Sequence, residues 1–171
     1  IAQKLNAIGV RIQQRIAVGD DVLSITNALD TAIQKSQIVI LTGGLGPTAD
    51  DITKPLLNRY FGGNMIVDQA SLDHITYIFE HIHKKPMIER NRKQAEVPDV
   101  CEVLFNKTGT APGMLFKKND CLIFSLPGVP HEMQWLTNEK VLPIIVERLK
   151  LGVIAHRTLL TAGVGESFLA E

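Results

Sequence analysis

The sequence predicts an α/β fold in which helices pack against a mostly parallel central sheet. Two apolar, strand-like runs support this prediction, at residues 38 to 41 and 122 to 126, and a turn rich in glycine or proline and then a helical stretch follow each. The first run is apolar throughout, which is typical of the centre of a parallel sheet. We therefore expect both turns at the carboxyl ends of the strands, where such folds bind ligands.

The chain before the first of these strands predicts a helix, a strand and a second helix. Residues 1 to 8 look helical and Gly9 is a suitable stop. Alternating apolar residues then predict a strand with one buried face: Val10, Ile12, Ile16 and Val18. Helical spacing resumes over residues 21 to 36, where Asp20 and Asp21 suit capping better than catalysis.

The remaining elements follow from local patterns. The periodicities predict, in order, helices at 52 to 60, 70 to 84 and 87 to 96, a strand at 103 to 105, a hairpin of 114 to 117 with 121 to 126, and a helix at 130 to 149. The pattern changes from His156, with a strand-like run at 157 to 161 and a helix start at 163 to 167. We therefore assign residues 1 to 152 to one domain and 153 to 171 to a linker and the start of a second unit.

Composition narrows the classes of function. The 171 residues are 45% apolar with formal net charge zero, as expected of one globular domain. The balance of charges and an aromatic content of 5% argue against a nucleic-acid partner. No apolar run approaches the roughly 20 residues that span a bilayer, so no membrane partner is expected. Cys101 and Cys121 form no metal-binding motif, and as reduced thiols they favour a cytoplasmic location.

The turn after the first strand has the chemistry of a phosphate site. Three glycines, Gly43, Gly44 and Gly46, let the backbone approach a ligand, and the helix that follows offers free N–H groups to an anion. Asp50 and Asp51 would repel a phosphate unless a divalent cation lay between them, as Mg²⁺ does in many phosphate sites. The alternative is a tight turn in which an aspartate caps the helix.

The second turn repeats this anatomy around Gly128 and Pro130. Pro130 suits the first turn of a helix, where its missing N–H costs little. Glu132 then either interacts favourably with the helix dipole or helps to hold a metal. The basic residues Arg90, Arg92 and Lys93 could lie on ligand phosphates, although a solvated charged face is the commoner explanation.

Four ordered motifs resemble those of the competence/damage-inducible (CinA) family. They lie at residues 42 to 53, 91 to 95, 109 to 114 and 125 to 133, and residues 163 to 171 look like the start of that family's middle region. The resemblance implies a molybdopterin-binding-like fold, a three-layer α/β/α sandwich around a mostly parallel sheet. It also implies metal-dependent hydrolysis of ADP-ribose-type pyrophosphates, with Mg²⁺ or Co²⁺ and potassium as cofactors.

The same resemblance assigns roles to individual residues. Asp51 matches an aspartate that the wider pterin-binding family needs for adenylyl transfer, and Asp50 matches an acid of the competence-type branch, so both are catalytic candidates. The metal candidates are Asp50, Asp51 and Glu132. The candidates for contacts with ligand or phosphate are Thr42, Gly43, Gly44, Gly46, Thr48, Asn91, Lys93 and Gly128.

Three further expectations come with the family. Its members open with a strand and a Gly-Asp-Glu motif that do not precede Ile1, so we expect the sheet to lack its first strand. Many relatives carry a nicotinamide-mononucleotide amidohydrolase domain, and we predict no such activity for these residues. We expect a homo-oligomer that binds a nucleotide or pterin. Two alternatives to hydrolysis stay open: a non-catalytic pterin or nucleotide module, and molybdopterin adenylyl transfer.

Overall fold

The structure is a computed structural model that describes residues 1–154, 160, 162, 163 and 168. The helices are α1 (Ala2–Ala7), α2 (Val22–Lys35), α3 (Thr53–Phe61), α4 (Gln69–Tyr77), α5 (Glu89–Arg92), α6 (Pro130–Leu136) and α7 (Leu142–Arg148). The strands are β1 (Ile38–Thr42), β2 (Met65–Val67), β3 (Glu96–Pro98), β4 (Glu102–Leu104), β5 (Gly113–Lys118) and β6 (Cys121–Leu126). The strand and helix predicted beyond residue 156 lie outside the described residues, apart from isolated positions.

In the part of the chain that the structure describes, four strands form the main sheet in the order β1-β6-β5-β4. The β1–β6 pair is parallel, with Thr42 opposite Leu126, whereas β6–β5 and β5–β4 are antiparallel. The predicted hairpin is therefore confirmed, and it forms the β5–β6 pair. Strands β2 and β3 make a separate antiparallel ribbon.

The sheet has a hydrophobic core on each face, so the fold has three layers. On one face, α2 and α3 bury Leu29 and Leu57 against Phe116 and Ile123. On the other face, the helices α1, α6 and α7 pack on the sheet through Leu5, Leu136 and Ile145, respectively. The alternating residues of β5 and β6 supply both cores, because successive side chains of a strand point to opposite faces. The α/β/α arrangement that the sequence predicts is confirmed.

Local sequence signals set the helix ends. Asp21 caps α2, since its Oδ1 accepts a hydrogen bond from the backbone N–H of Ser24 at 2.8 Å. Gly62 ends α3 in the left-handed region, at φ 70°. Pro130 begins α6, as predicted. Among the described residues, no helix has the length and apolar character needed to cross a bilayer.

The strand predicted over residues 10 to 18 is wrong. This segment is irregular, and after Gly9 the N–H of Val10 folds back onto the carbonyl of Leu5 at 2.9 Å. Val10 packs against the second core, but Ile16 is 47% exposed, so the alternating residues do not share one buried face. Apolar alternation alone does not make a strand without a neighbour to pair with.

The position predicted for β1 also needs correction. Within the described residues β1 lies at an edge of the main sheet rather than at its centre, and it pairs only with β6. The main sheet is mixed, with one parallel and two antiparallel pairs. The parallel pair is the part of the sheet that places the two predicted turns side by side.

Candidate functional site

The turns that follow β1 and β6 meet at one edge of the sheet. The backbone N–H of Gly43 donates to the carbonyl of Leu126 at 2.9 Å, which extends the parallel pairing by one residue. Gly128 packs against Gly43 so closely that a Cβ on Gly128 would stand 3.3 Å from the Gly43 Cα. The two loops therefore form a single backbone surface.

Two glycines of the first turn have no room for a side chain. Gly44 has φ +67°, and a Cβ there would overlap the side chain of Thr53 at the start of α3. A Cβ on Gly46 would overlap the carboxylate of Asp51. The positive φ thus favours glycine at the first position, and at the second the absence of a Cβ lets the Asp51 carboxylate lie against the main chain.

A cavity of about 440 Å³ opens where the two turns meet. Residues of both turns and of two further segments line it: Gly43, Gly44, Leu45, Gly46, Pro47, Asp51, Gln94, Thr110, Ala111, Pro127, Gly128, Val129 and Glu132. Gly43 and Gly44 also border a larger cavity of about 1430 Å³, which runs along β1 and residues 9 to 18. Only the smaller cavity contains acids of both predicted turns.

The two adjacent aspartates have different surroundings. Asp51 lines the cavity, and its Oδ2 accepts hydrogen bonds from the Thr48 backbone N–H at 3.2 Å and from the Thr48 hydroxyl at 2.5 Å. Asp50 is exposed and lies outside the cavity lining. Neither caps α3, because its N-cap is Ile52, which makes no side-chain cap. The structure therefore favours Asp51 for a role at the cavity.

Glu132 reaches the same cavity from the first turn of α6. It is only 8% exposed, and its Oε2 accepts a hydrogen bond from Asn106 Nδ2 at 2.5 Å. A Cβ on Gly109 would overlap this carboxylate, so the loop before β5 closes directly over it. A buried carboxylate is costly unless donors or cations satisfy it. Its placement on a cavity wall therefore makes it a candidate to meet a ligand.

The other predicted contact residues divide into two groups. Gly43, Gly44, Gly46 and Gly128 line the cavity. Thr48 holds Asp51 in place without lining the cavity, and Thr42 is exposed beside the larger cavity. Asn91 and Lys93 belong to α5 and the 3-10 turn after it, and neither lines a described cavity.

Sequence reasoning missed Gln94, the neighbour of Lys93. Gln94 is 6% exposed and lines the cavity between the two turns. Its position beside the apolar Ala95 in the motif at residues 91 to 95 was a usable signal, because an uncharged amide is less costly to bury than the charged side chains of Arg92 and Lys93. Thr110 and Ala111 belong to the motif at residues 109 to 114 and also line the cavity, although no site role was predicted for them.

Lys54 supplies positive charge behind the cavity wall. It is 5% exposed, and burial lowers its pKa to about 8, while the charges of Glu96 and Asp51 oppose that shift. Its Nζ donates to the carbonyls of Gln94 and Glu96 at 3.1 and 3.0 Å. Burial also raises the pKa of the Cys101 thiol to about 12, so this cysteine is not a nucleophile.

The donor set is compatible with a divalent cation only if the ligand contributes. Within the described part of the chain, no three His, Cys, Asp or Glu residues are grouped closely enough to hold a metal ion, so the three predicted metal ligands do not form one cluster. Asp51 and Glu132 nevertheless line one cavity. Mg²⁺ is commonly bound by one or two carboxylates together with substrate phosphates, and Asp51 and Glu132 are the two carboxylates that line this cavity.

Comparisons with known proteins agree with this fold. The family model described as "Probable molybdopterin binding domain" matches residues 1–147. A CinA-like protein of Flavobacterium psychrophilum is 44% identical over 171 residues, which are 100% of this chain and 41% of that protein. A CinA-like protein of Cytophaga hutchinsonii is 42% identical with the same coverage. The chain thus spans about 41% of the length of these relatives.

Solved structures show the same architecture. One is the crystal structure of CinA from Thermoplasma acidophilum, a protein of unknown function. It aligns with TM-score 0.70 and 29% identity over 84% of this chain and 83% of that one. Molybdenum cofactor biosynthesis protein B shares the fold, with TM-score 0.54 and 15% identity over 86% of this chain and 78% of that one. The chain belongs to the molybdopterin-binding domain family, and its relatives there are CinA-like proteins.

Proposed function

We propose that this domain hydrolyses a nucleoside diphosphate sugar such as ADP-ribose, with the help of a divalent cation. One observation carries the proposal: two glycine-bearing turns and two acids from different loops line a single cavity of about 440 Å³. That volume is within the range of cavities that hold small ligands. The same resemblance that identified the motifs implies this substrate class.

The turn at residues 43 to 46, called the glycine turn from here on, suits the diphosphate of the ligand. Gly43 and Gly44 present backbone without side chains to the cavity, and Gly128 packs against them from the second turn. A diphosphate can therefore lie close to the main chain. The buried ammonium of Lys54 lies behind the neighbouring wall and would partly offset the charge of the ligand.

The two carboxylates that line the cavity would hold the cation against the ligand. Asp51 is held by Thr48, and Glu132 is held by Asn106, so each carboxylate has a fixed direction before the ligand arrives. Together with ligand phosphate oxygens they would hold Mg²⁺ or Co²⁺, while potassium stays an expectation from the resemblance. The cation would polarise a phosphoryl oxygen and make an attacking water more acidic. Water adds to one phosphorus, and the bond to the bridging oxygen breaks, which gives AMP and ribose 5-phosphate.

The test is direct. We expect the 171-residue chain to release AMP from ADP-ribose in the presence of Mg²⁺ or Co²⁺, and excess EDTA to stop that release. Asp51→Asn should lose the activity, and Asn27→Ala, a change at an exposed position of α2, should keep it. Absence of AMP with both metals would contradict the proposal.

A non-catalytic pterin or nucleotide module is the second candidate. The observation that favours it is the lack, in the residues described, of three grouped metal ligands. Calorimetry separates the two candidates: binding that needs no metal and is followed by no turnover supports the module. Molybdopterin adenylyl transfer, the remaining alternative, requires ATP-dependent modification of molybdopterin and its loss on Asp51→Asn.

A further inference from the structure

Gln94 is the buried polar residue of the cavity that the proposed function leaves without a role. It is 6% exposed and lines the same cavity as the glycines of the first turn. A glutamine amide carries two N–H donors and a carbonyl acceptor, so it can both donate to and accept from the same ligand group. The same cavity is also lined by apolar residues, among them Leu45 and Ala111. Such a wall suits a neutral heterocycle better than a phosphate, which the glycine turn already accommodates.

Lys54 fixes the backbone on which Gln94 stands. Its Nζ donates to the carbonyl of Gln94 at 3.1 Å and to that of Glu96 at 3.0 Å. Its own backbone N–H donates to the carbonyl of Gly44 at 3.2 Å. One residue is therefore joined to two walls of the cavity, the glycine turn and the segment that carries Gln94.

The rest of that segment is equally constrained. The carbonyl of Ala95 accepts from the backbone N–H of Asp68 at 3.0 Å, so the carbonyls of residues 94 to 96 all have donors. Ala95 and Val97 are fully buried, which prevents the segment from turning over. Buried backbone groups must be paired. Without the Lys54 ammonium, the backbone carbonyl of Gln94 would lose its donor, and the main chain that carries the Gln94 side chain would be less firmly held.

Carbonyl oxygens hold Lys54 in the described part of the chain, and no carboxylate lies within ion-pair distance. The charged or titratable groups that act on it from neighbouring elements are Glu96, Asp51 and Cys101. An ion pair with a carboxylate would depend mainly on the positive charge of the lysine and would tolerate a range of Nζ positions. Donation to two carbonyls also requires the position of Nζ, which indicates that the geometry of Lys54 matters here as well as its charge.

We propose that Gln94 contacts the nucleobase of the ligand and that Lys54 is the positioning residue that holds it there. The proposal rests on the proposed function, because it concerns the same cavity. It specifies the ligand further: the group next to Gln94 is an uncharged ring with both hydrogen-bond donors and acceptors. Gln94 should therefore distinguish a nucleotide from a bare diphosphate.

Calorimetry with two probes tests this division. In these binding tests ADP-ribose stands for its non-hydrolysable methylene analogue, which the chain cannot turn over. Wild-type chain should bind this ligand and, more weakly, inorganic pyrophosphate, both with Mg²⁺. Gln94→Ala should weaken ADP-ribose binding about 10-fold, as expected when a hydrogen-bonded ligand group loses its partner, and leave pyrophosphate within about 2-fold. Gln34→Ala, a change at an exposed position of α2, is the matched control and should leave both affinities unchanged.

A double-mutant cycle separates positioning from charge. Lys54→Met should weaken ADP-ribose binding about 10-fold in the wild-type background and less than about 3-fold in the Gln94→Ala background, because its effect passes through Gln94. Lys117→Met, at an exposed position of β5, is the control for the loss of a lysine. An equal loss in both backgrounds would overturn the positioning role.

A second measurement uses only the wild-type chain and so does not depend on whether the variants fold. In wild-type chain labelled with ¹⁵N-glutamine, the side-chain amide signals of Gln94 should shift on addition of ADP-ribose and stay in place with pyrophosphate. Equal affinities of wild type and Gln94→Ala for ADP-ribose would overturn this inference and leave the proposed hydrolysis intact. A wild-type chain that binds neither probe would overturn both.

Discussion

The side chain of Asn106 joins Glu132 to the loop that covers it. Asn106 Nδ2 donates to Glu132 Oε2 at 2.5 Å and to the carbonyl of Ala111 at 3.0 Å, while its Oδ1 accepts from the backbone N–H and the hydroxyl of Thr108, both at 3.0 Å. Every hydrogen-bonding position of this buried amide is thus used. The orientation of the Glu132 carboxylate in the cavity depends on it.

Asn106→Ala should lower the free energy of unfolding by about 2–4 kcal/mol, because it removes four hydrogen bonds and leaves a buried carboxylate without its donor. Urea denaturation followed by circular dichroism measures the change. Asn27→Ala, at an exposed position of α2, is the matched control and should stay within about 0.5 kcal/mol of wild type. An Asn106 variant as stable as that control would show that the network contributes nothing.

Gly109→Ala should be destabilising by about 1–3 kcal/mol, since its methyl group would overlap the Glu132 carboxylate. Gly152→Ala is the control, because a Cβ there meets nothing within 4 Å. In a Glu132→Ala background the cost of Gly109→Ala should largely disappear, as the overlapping group is gone. An unchanged cost in that background would mean that another contact excludes the methyl group.

The sequence predicted the parts of this fold that depend on local signals. Asp21 caps α2 as expected, and the hairpin of β5 and β6 follows from two strand-like runs a few residues apart. The segment at residues 10 to 18 has alternating apolar residues but makes no strand. Local pattern shows which face a strand would bury, but only tertiary structure provides the neighbour that pairs with it.

In the candidate site too, the residues with local sequence signals were predicted and those placed by tertiary structure were not. Asp51 and Glu132 were expected near one another because each follows a strand of the parallel pair, and both line the cavity. Gln94 and Lys54 were not expected there. Their contact joins residues 40 positions apart in sequence, and no periodicity indicates that a lysine after a glycine turn will be buried beneath a distant polar segment.

Asp51→Asn should lower the rate of AMP release from ADP-ribose by about 100-fold, whereas Asp50→Asn should change it by less than about 3-fold. The reason is placement: Asp51 lines the cavity and Asp50 is exposed outside it. Asparagine can still accept the hydrogen bond from Thr48, so the loop should keep its conformation. Equal losses in the two variants would show that both carboxylates act on the ligand.

The stability of the chain should rise with pH through the titration of Lys54. Its pKa of about 8 in the folded chain is below the ordinary 10.5, so between these values the unfolded chain binds more protons. The free energy of unfolding therefore increases across this interval, by about 3 kcal/mol in total from this group. The burial penalty is present in full below pH 8 and is relieved by pH 10.5.

Comparison with Lys54→Met isolates this contribution from the other groups that titrate in the same range. The difference in unfolding free energy, wild type minus Lys54→Met, should grow by about 3 kcal/mol between pH 7.5 and 10.5, measured by urea denaturation at closely spaced pH values. Lys117→Met, at an exposed position, should follow the wild-type curve. If the difference between wild type and Lys54→Met stays constant over this range, the ammonium of Lys54 is solvated rather than buried, and it cannot fix the carbonyls of Gln94 and Glu96 in the way described.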